Sequence, residues 1–159
     1  MADALEDISF DRIVATPLSR SLDTALVIAR RRRMPVDVVA DLVEIDVGEK
    51  QGAHFDEVKG LPEWSDDGFV AWKGGESLEQ VLERGLGAIR RLHREMPGGI
   101  VLVIGHGGVT RILVSHYLGI LPKLDASRQT NTAVTVLVGD GERGRIEHLF
   151  VDAASIRRA

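Results

Sequence analysis

The amino-acid sequence predicts a three-layer α/β/α domain with a mostly parallel sheet, and three observations lead there. Short apolar runs of strand length alternate with stretches of helical period, the order that puts helices on both faces of a sheet. The most apolar run, Ile100–Ile104, passes through Gly105-His106-Gly107-Gly108 directly into a helical stretch, as a buried parallel strand does. No repeat, linker or low-complexity stretch divides residues 1–159, so one domain is expected. A chain of this length buries roughly two-thirds of the surface its unfolded form exposes and needs no staple to fold.

In order along the chain, residues 3–8 have Leu5 and Ile8 at helical spacing, enough for one or two turns but too few to be stable alone. Ile13-Val14-Ala15 is expected to be a short buried strand, ended by Thr16-Pro17. From Ser19 to Arg33, Leu22, Leu26, Ile28 and Ala29 recur with helical period, and Pro35 supplies the stop. The basic run Arg30–Arg33 falls where cations suit the helix dipole and is expected to be a solvated helix end. Val36–Val39 is the second strand.

Residues 44–75 are rich in Gly, Asp, Glu and Trp without a sustained period, and so long an irregular stretch is expected to wall a site. Ser77 and Gln80 form a capping box, and Leu78, Val81, Leu82, Leu86, Ile89 and Leu92 lay an apolar stripe to Met96, where Pro97-Gly98-Gly99 ends the helix. Val109 to Leu118 is a helix closed by Gly119. Thr132–Val138 and Ile146–Val151 read as strands joined across Asp140-Gly141, a hairpin signal.

Composition narrows the function. With no cysteine, the chain forms no disulfide and uses no thiolate nucleophile or cysteine metal site. Its longest apolar runs, about five residues, fall far short of the ~20 a membrane span requires. The acidic start MADALEDISF lacks the order of a signal peptide, so a cytoplasmic protein without membrane attachment is expected. The net charge of -4, from 20 basic and 24 acidic side chains, gives no attraction to nucleic acid. No His/Asp/Glu spacing forms a metal motif and no glycine-rich loop carries an ATP-site lysine, so neither metal nor cofactor is expected.

His106 leads the candidates for chemistry. It stands where a strand gives way to a helix, the edge at which open α/β sheets bind ligands, and the helix start after it suits an anion such as phosphate. The flanking glycines, Gly107 first, allow close approach of backbone to a ligand. Arg20, in Thr16-Pro17-Leu18-Ser19-Arg20, occupies the equivalent turn, and its rigid fork meets two phosphate oxygens at once. Glu44, just after Leu42-Val43, is a candidate general acid if partly buried, with Asp46 and Glu49 as weaker ones. His54 is a lesser candidate for substrate contact; Trp64, Phe69 and Trp72 are candidates either to stack on substrate or to pack over the site. His93, His116 and His148 fall within a helix or strand and read as structural or surface residues.

Taken together, these pieces resemble the histidine phosphatase (phosphoglycerate mutase-like) superfamily. FDRIVATPLSRSLDT, residues 10–24, is similar to the segment with its second phosphate-binding arginine, matched by Arg20. LVEIDVGEKQG, residues 42–52, looks like the segment with its acid, matched by Glu44. Gly74-Gly75-Glu76-Ser77 looks like the lead into the next helix, IGHGGVT, residues 104–110, matches the segment with its second catalytic histidine, His106, and NTAVTVL, residues 131–137, looks like the strand that follows.

The resemblance implies a phosphatase or mutase acting on a small phosphate ester, with His106 and Glu44 catalytic and Arg20, His106 and Gly107 binding phosphate. It also implies an opening strand with an Arg-His-Gly motif whose histidine attacks phosphorus, and that tripeptide occurs nowhere in the sequence. Met1–Ile8 resembles the tail of the family's first helix, so the expectation is a truncated domain lacking about one strand, from within its sheet, and most of one helix. Such a gap predicts a homodimer or a strand-exchanged partner. The alternative function is a non-catalytic module that binds phosphate esters or proteins and dimerises or is completed by another chain.

Overall fold

The structure is a computed structural model that describes residues 2–53, 64–65, 68–69, 71–123 and 129–156. Strand β1 (Arg12–Ala15) lies in the middle of a three-stranded parallel sheet of order β2-β1-β5, flanked by β2 (Val36–Val38) and β5 (Val101–Ile104). Side chains alternate across a strand, so β1 feeds two cores. Ile13 and Ala15 pack against Ala25, Ile28 and Ala29 of α1 (Ser19–Arg32). Val14 packs on the other face, against the stripe of α2 (Leu78–Glu95) and against Val109 and Ile112 of α3 (Gly107–Tyr117). Two helical layers therefore sandwich the sheet, as the sequence predicts.

The capping box opens α2: the Ser77 N–H donates to Gln80 Oε1 at 2.8 Å and the Gln80 N–H to Ser77 Oγ at 3.3 Å. Gly85 brings α2 and α3 together, because a Cβ there would lie 3.1 Å from Leu113 Cδ2. Trp64–Ser65 (β3) and Gly68–Phe69 (β4) form a two-stranded antiparallel pair. The hairpin of β6 (Val134–Gly139) and β7 (Gly144–Val151) is a second antiparallel pair, not hydrogen-bonded to the parallel sheet.

Three expectations are corrected. The loss of an N-terminal strand is not borne out: β1 is intact near the N-terminus, central, and paired on both sides in register, Ile13 with Val36 and with Leu102. The basic run is not simply a solvated helix end. Arg31 pairs with Asp3, and Arg32 donates to the carbonyls of Leu5, Glu6 and Ile8 while stacking over Phe10. These bonds hold residues 2–7 as successive turns rather than as a helix, and they bury Leu5 in the α1 core.

The third correction concerns the run Ile100–Ile104, expected to be buried throughout: Val103 is 38% exposed and Ile100 55%. Among the described residues β5 pairs only with β1, so its outer edge is uncovered. Substitution separates the two situations. Val14→Ala is expected to cost about 2 kcal/mol and Val103→Ala less than about 1 kcal/mol in urea denaturation; equal costs would contradict the exposed placement of Val103.

Candidate functional site

The site follows from strand register. Ala15 stands beside Ile104, so the β1–α1 and β5–α3 turns leave the sheet side by side. Thr16, fully buried, is fixed by its N–H donating to Ser21 Oγ at 3.0 Å, while the Ser21 hydroxyl donates to the Ile104 carbonyl at 2.5 Å. That short chain sews the two turns together and presents Thr16 Oγ1 2.7 Å from His106 Nε2.

The other ring nitrogen faces Arg20, whose Nε donates to His106 Nδ1 at 3.3 Å. A guanidinium only donates, so Nδ1 accepts and the neutral ring carries its proton on Nε2, which donates to Thr16. Burial holds the His106 pKa below its ordinary value, aided by Arg20 and Arg84 and opposed by Glu44. The terminal NH2 groups of Arg20 have no partner among the described residues, leaving its fork open.

Glu44 occupies the start of α3. Its Oε2 accepts from the Gly108 N–H at 3.2 Å, and its Oε1 from Val109 at 3.1 Å and from Ile45 at 3.0 Å. A Cβ at Gly108 would stand 2.6 Å from Glu44 Oε1, so this glycine admits a protein carboxylate to the helix start. The amides expected to face an anion are thus partly taken by Glu44, while the Gly107 N–H finds no acceptor among the described residues.

Glu44 is itself placed by α2. Arg84 bonds both Glu76 oxygens, Nε to Oε1 at 2.6 Å and a terminal nitrogen to Oε2 at 2.9 Å, and also donates to the Asp41 carbonyl at 2.8 Å and the Glu44 carbonyl at 3.4 Å. The Arg84 hydrogen bonds hold the Glu76 pKa below the usual carboxylate range. Glu76 in turn accepts the Asp46 N–H at 2.9 Å, so one ion pair fastens both ends of the Glu44 turn.

Arg20, His106, Gly107 and Glu44 therefore converge at one end of the sheet. Asp46 and Glu49 do not join them: Asp46 accepts the Gly48 N–H at 2.9 Å and Glu49 pairs with Lys73. Trp72 is a core residue, 4% exposed. His54 and the side chains of Trp64 and Phe69 lie outside the described residues. His93 and His116 sit in the last turns of α2 and α3, and His148 stands opposite Val136 in the hairpin. Thr16, Ser21 and Arg84 were not anticipated in the site. A polar residue closing an apolar strand is the one signal for Thr16, and Arg84 has none in its local spacing.

Residues 1–152 match the histidine phosphatase superfamily (branch 1). An uncharacterized phosphatase of Bacillus subtilis, PhoE, is 27% identical over 150 residues, 94% of this chain and 75% of its own length. The metal-independent phosphoserine phosphatase of Arabidopsis thaliana is 33% identical over 133 residues, 79% of this chain but 55% of its own, so the chain spans about half of that relative. Mycobacterial glucosyl-3-phosphoglycerate phosphatase, solved with inorganic phosphate, superposes with a TM-score of 0.81 at 26% identity, over 98% of this chain and 84% of its own.

The buried imidazole gives a pH signature. A histidine held below its ordinary value contributes stability that is present above the unfolded-state value and lost as pH falls through the folded-state value. Between about pH 8 and pH 5, wild-type protein is expected to lose stability more steeply than His106→Gln, measured by urea denaturation. Parallel slopes would contradict the neutral, buried state of His106.

Proposed function

The chain belongs to the histidine phosphatase superfamily, branch 1, and on that premise we propose that Arg20, His106 and the Gly107 N–H bind the phosphoryl group of a small phosphate monoester. The observation that carries this reading is the convergence of Arg20 and His106 at 3.3 Å, with the arginine fork otherwise without a partner among the described residues. A phosphoryl group entering there takes two oxygens on Arg20, and its charge favours a proton on His106, which then becomes a donor. Glu44 flanks the position of the leaving alcohol as the candidate acid.

Covalent transfer asks more of the site. The family's attacking group is the histidine of an Arg-His-Gly motif, and this sequence has no such tripeptide. His106 is poorly placed to substitute, because Nε2 is turned to Thr16 and the Nδ1 lone pair is engaged by Arg20. Both Glu44 oxygens are tied to backbone amides, so protonating an alcohol would require releasing one of them. Among the described residues no other histidine reaches Arg20. The function supported best is therefore phosphate-ester binding, with phosphomonoester hydrolysis as the activity class of the fold.

Calorimetric titration with inorganic phosphate is expected to show saturable binding with proton uptake, weakened about tenfold or more in Arg20→Ala. Hydrolysis of p-nitrophenyl phosphate is expected to equal that of His106→Ala. Turnover lost in His106→Ala and Arg20→Ala would overturn the binding-only reading in favour of catalysis by these residues.

A second reading is favoured by the open edge of β5. β5 and β6 each pair on one side only among the described residues, and Val103 and Val138 are 38% and 41% exposed. Unpaired strand edges recruit other strands, which supports association with a second copy of the chain through β5. Light scattering after size exclusion is expected to show a dimer that Val103→Lys dissociates; a monomer across the concentration range would overturn it.

A further inference from the structure

Beside the start of α3 lies a side chain that neither the fold nor the phosphate clamp described above accounts for. Gln129 precedes the β6–β7 hairpin and is half-buried. From the position a Cβ would take at Gly107, the Gln129 Oε1, Cδ and Nε2 atoms stand at 3.4, 3.8 and 3.9 Å, so the amide lies against the first residue of α3.

Its orientation is dictated by Arg111, whose Nε donates to Gln129 Oε1 at 3.1 Å. Arginine has no acceptor, so the amide oxygen must face it and the NH2 group must point away. Arg111 is itself braced, its guanidinium 6.0 Å from the Phe150 ring centroid. Phe150 has a φ of 48°, a backbone state that non-glycine side chains rarely adopt and that its surroundings must hold. The result is a side-chain NH2 with two N–H donors, oriented by its neighbours, with no acceptor among the described residues.

Beside that amide is the Gly107 N–H, also without an acceptor among the described residues, and the neighbouring His106 carries Arg20, whose fork is likewise unpartnered among them. A half-buried NH2 turned away from a fixed arginine suits an oxygen-rich anion. We propose that Gln129 is a phosphoryl-oxygen donor, its NH2 completing the cradle of Arg20, His106 and the Gly107 N–H. Gln129 thus contacts the ligand, and Arg111 is a positioning residue. This inference rests on the phosphate-ester reading of the site.

The test is titration of the full chain with inorganic phosphate, by calorimetry and by 15N–1H NMR of the side-chain amides. Gln129→Met, which keeps the length and loses the donors, is expected to bind phosphate about tenfold more weakly than wild type. Gln129→Glu keeps an acceptor for Arg111 but adds a negative charge, and is expected to bind more weakly still. In wild-type protein the Gln129 NH2 resonances, identified by their absence in Gln129→Glu, are expected to shift with the same midpoint as the Gly107 amide, which a purely structural role would not produce. Affinity in Gln129→Met within about twofold of wild type, with Arg20→Ala still defective, overturns the Gln129 assignment and spares the site. No phosphate binding by wild type overturns the site reading and this assignment together.

Discussion

The placement of the Glu44 carboxylate on the first amides of α3 ties together parts of the chain that local structure would leave separate. A helix start carries unpaired N–H groups and partial positive charge, and a carboxylate there contributes about 0.3–1 kcal/mol, or about 2 kcal/mol when partly buried. Here the carboxylate comes from a turn 64 residues upstream of Gly108. Satisfying it fixes where the 40–50 region crosses the sheet end. Arg84 and Glu76 then hold that region to α2, and α2 packs on α3 over Gly85. Replacing any one of these groups by an apolar one would leave a charge or a backbone amide without its partner, so the arrangement is set as a unit.

Register supplies the second half of the site. Parallel strands bring their C-terminal ends to one edge, and β1 beside β5 places Thr16 next to the Gly105–Gly108 turn. The Ser21 hydroxyl, donating to the Ile104 carbonyl while accepting the Thr16 N–H, makes that edge a bonded structure rather than two adjacent loops. Arg20 lies one residue before Ser21 at the start of α1, so the step that buries the serine points the arginine outward over His106.

How far this was legible depends on the range of the interaction. Strand and helix positions were readable, because period and capping act over a few residues: the Ser77–Gln80 box and the short buried strand Ile13-Val14-Ala15 appear as expected. The meeting of Arg20 and His106 was readable from a general property of parallel sheets, even though 86 residues separate them. The Thr16–His106 bond, across 90 residues, and the Arg84 contacts were not, since neither residue differs in its local setting from an ordinary strand end or helix surface. Glu44 stands half-buried at the rim of the site, where its sequence position suggests, but its bonds to the first amides of α3 have no local signal. A glycine that admits a ligand and one that admits the protein's own carboxylate look alike in a sequence, and only the packed structure shows that Gly108 is the second kind.

The state of His106 follows from who holds its two nitrogens. A nucleophilic imidazole needs a lone pair aimed at phosphorus and a base or acceptor behind the other nitrogen. Thr16 meets the second requirement by accepting from Nε2, but Arg20 stands on the lone pair that would have to attack. On the proposed phosphate-ester reading, the anion sits on the open Arg20 fork beside the ring and draws a proton onto Nδ1, and two donors cannot share one contact, so the arginine Nε must then part from the ring. Once protonated, Nδ1 has no lone pair left for attack, because the negative charge held by Arg20 also favours the imidazolium. On that reading, His106 passes from an acceptor to a donor at Nδ1 as the site fills. That is the behaviour of a group that would stabilise charge on phosphate oxygens rather than of a nucleophile.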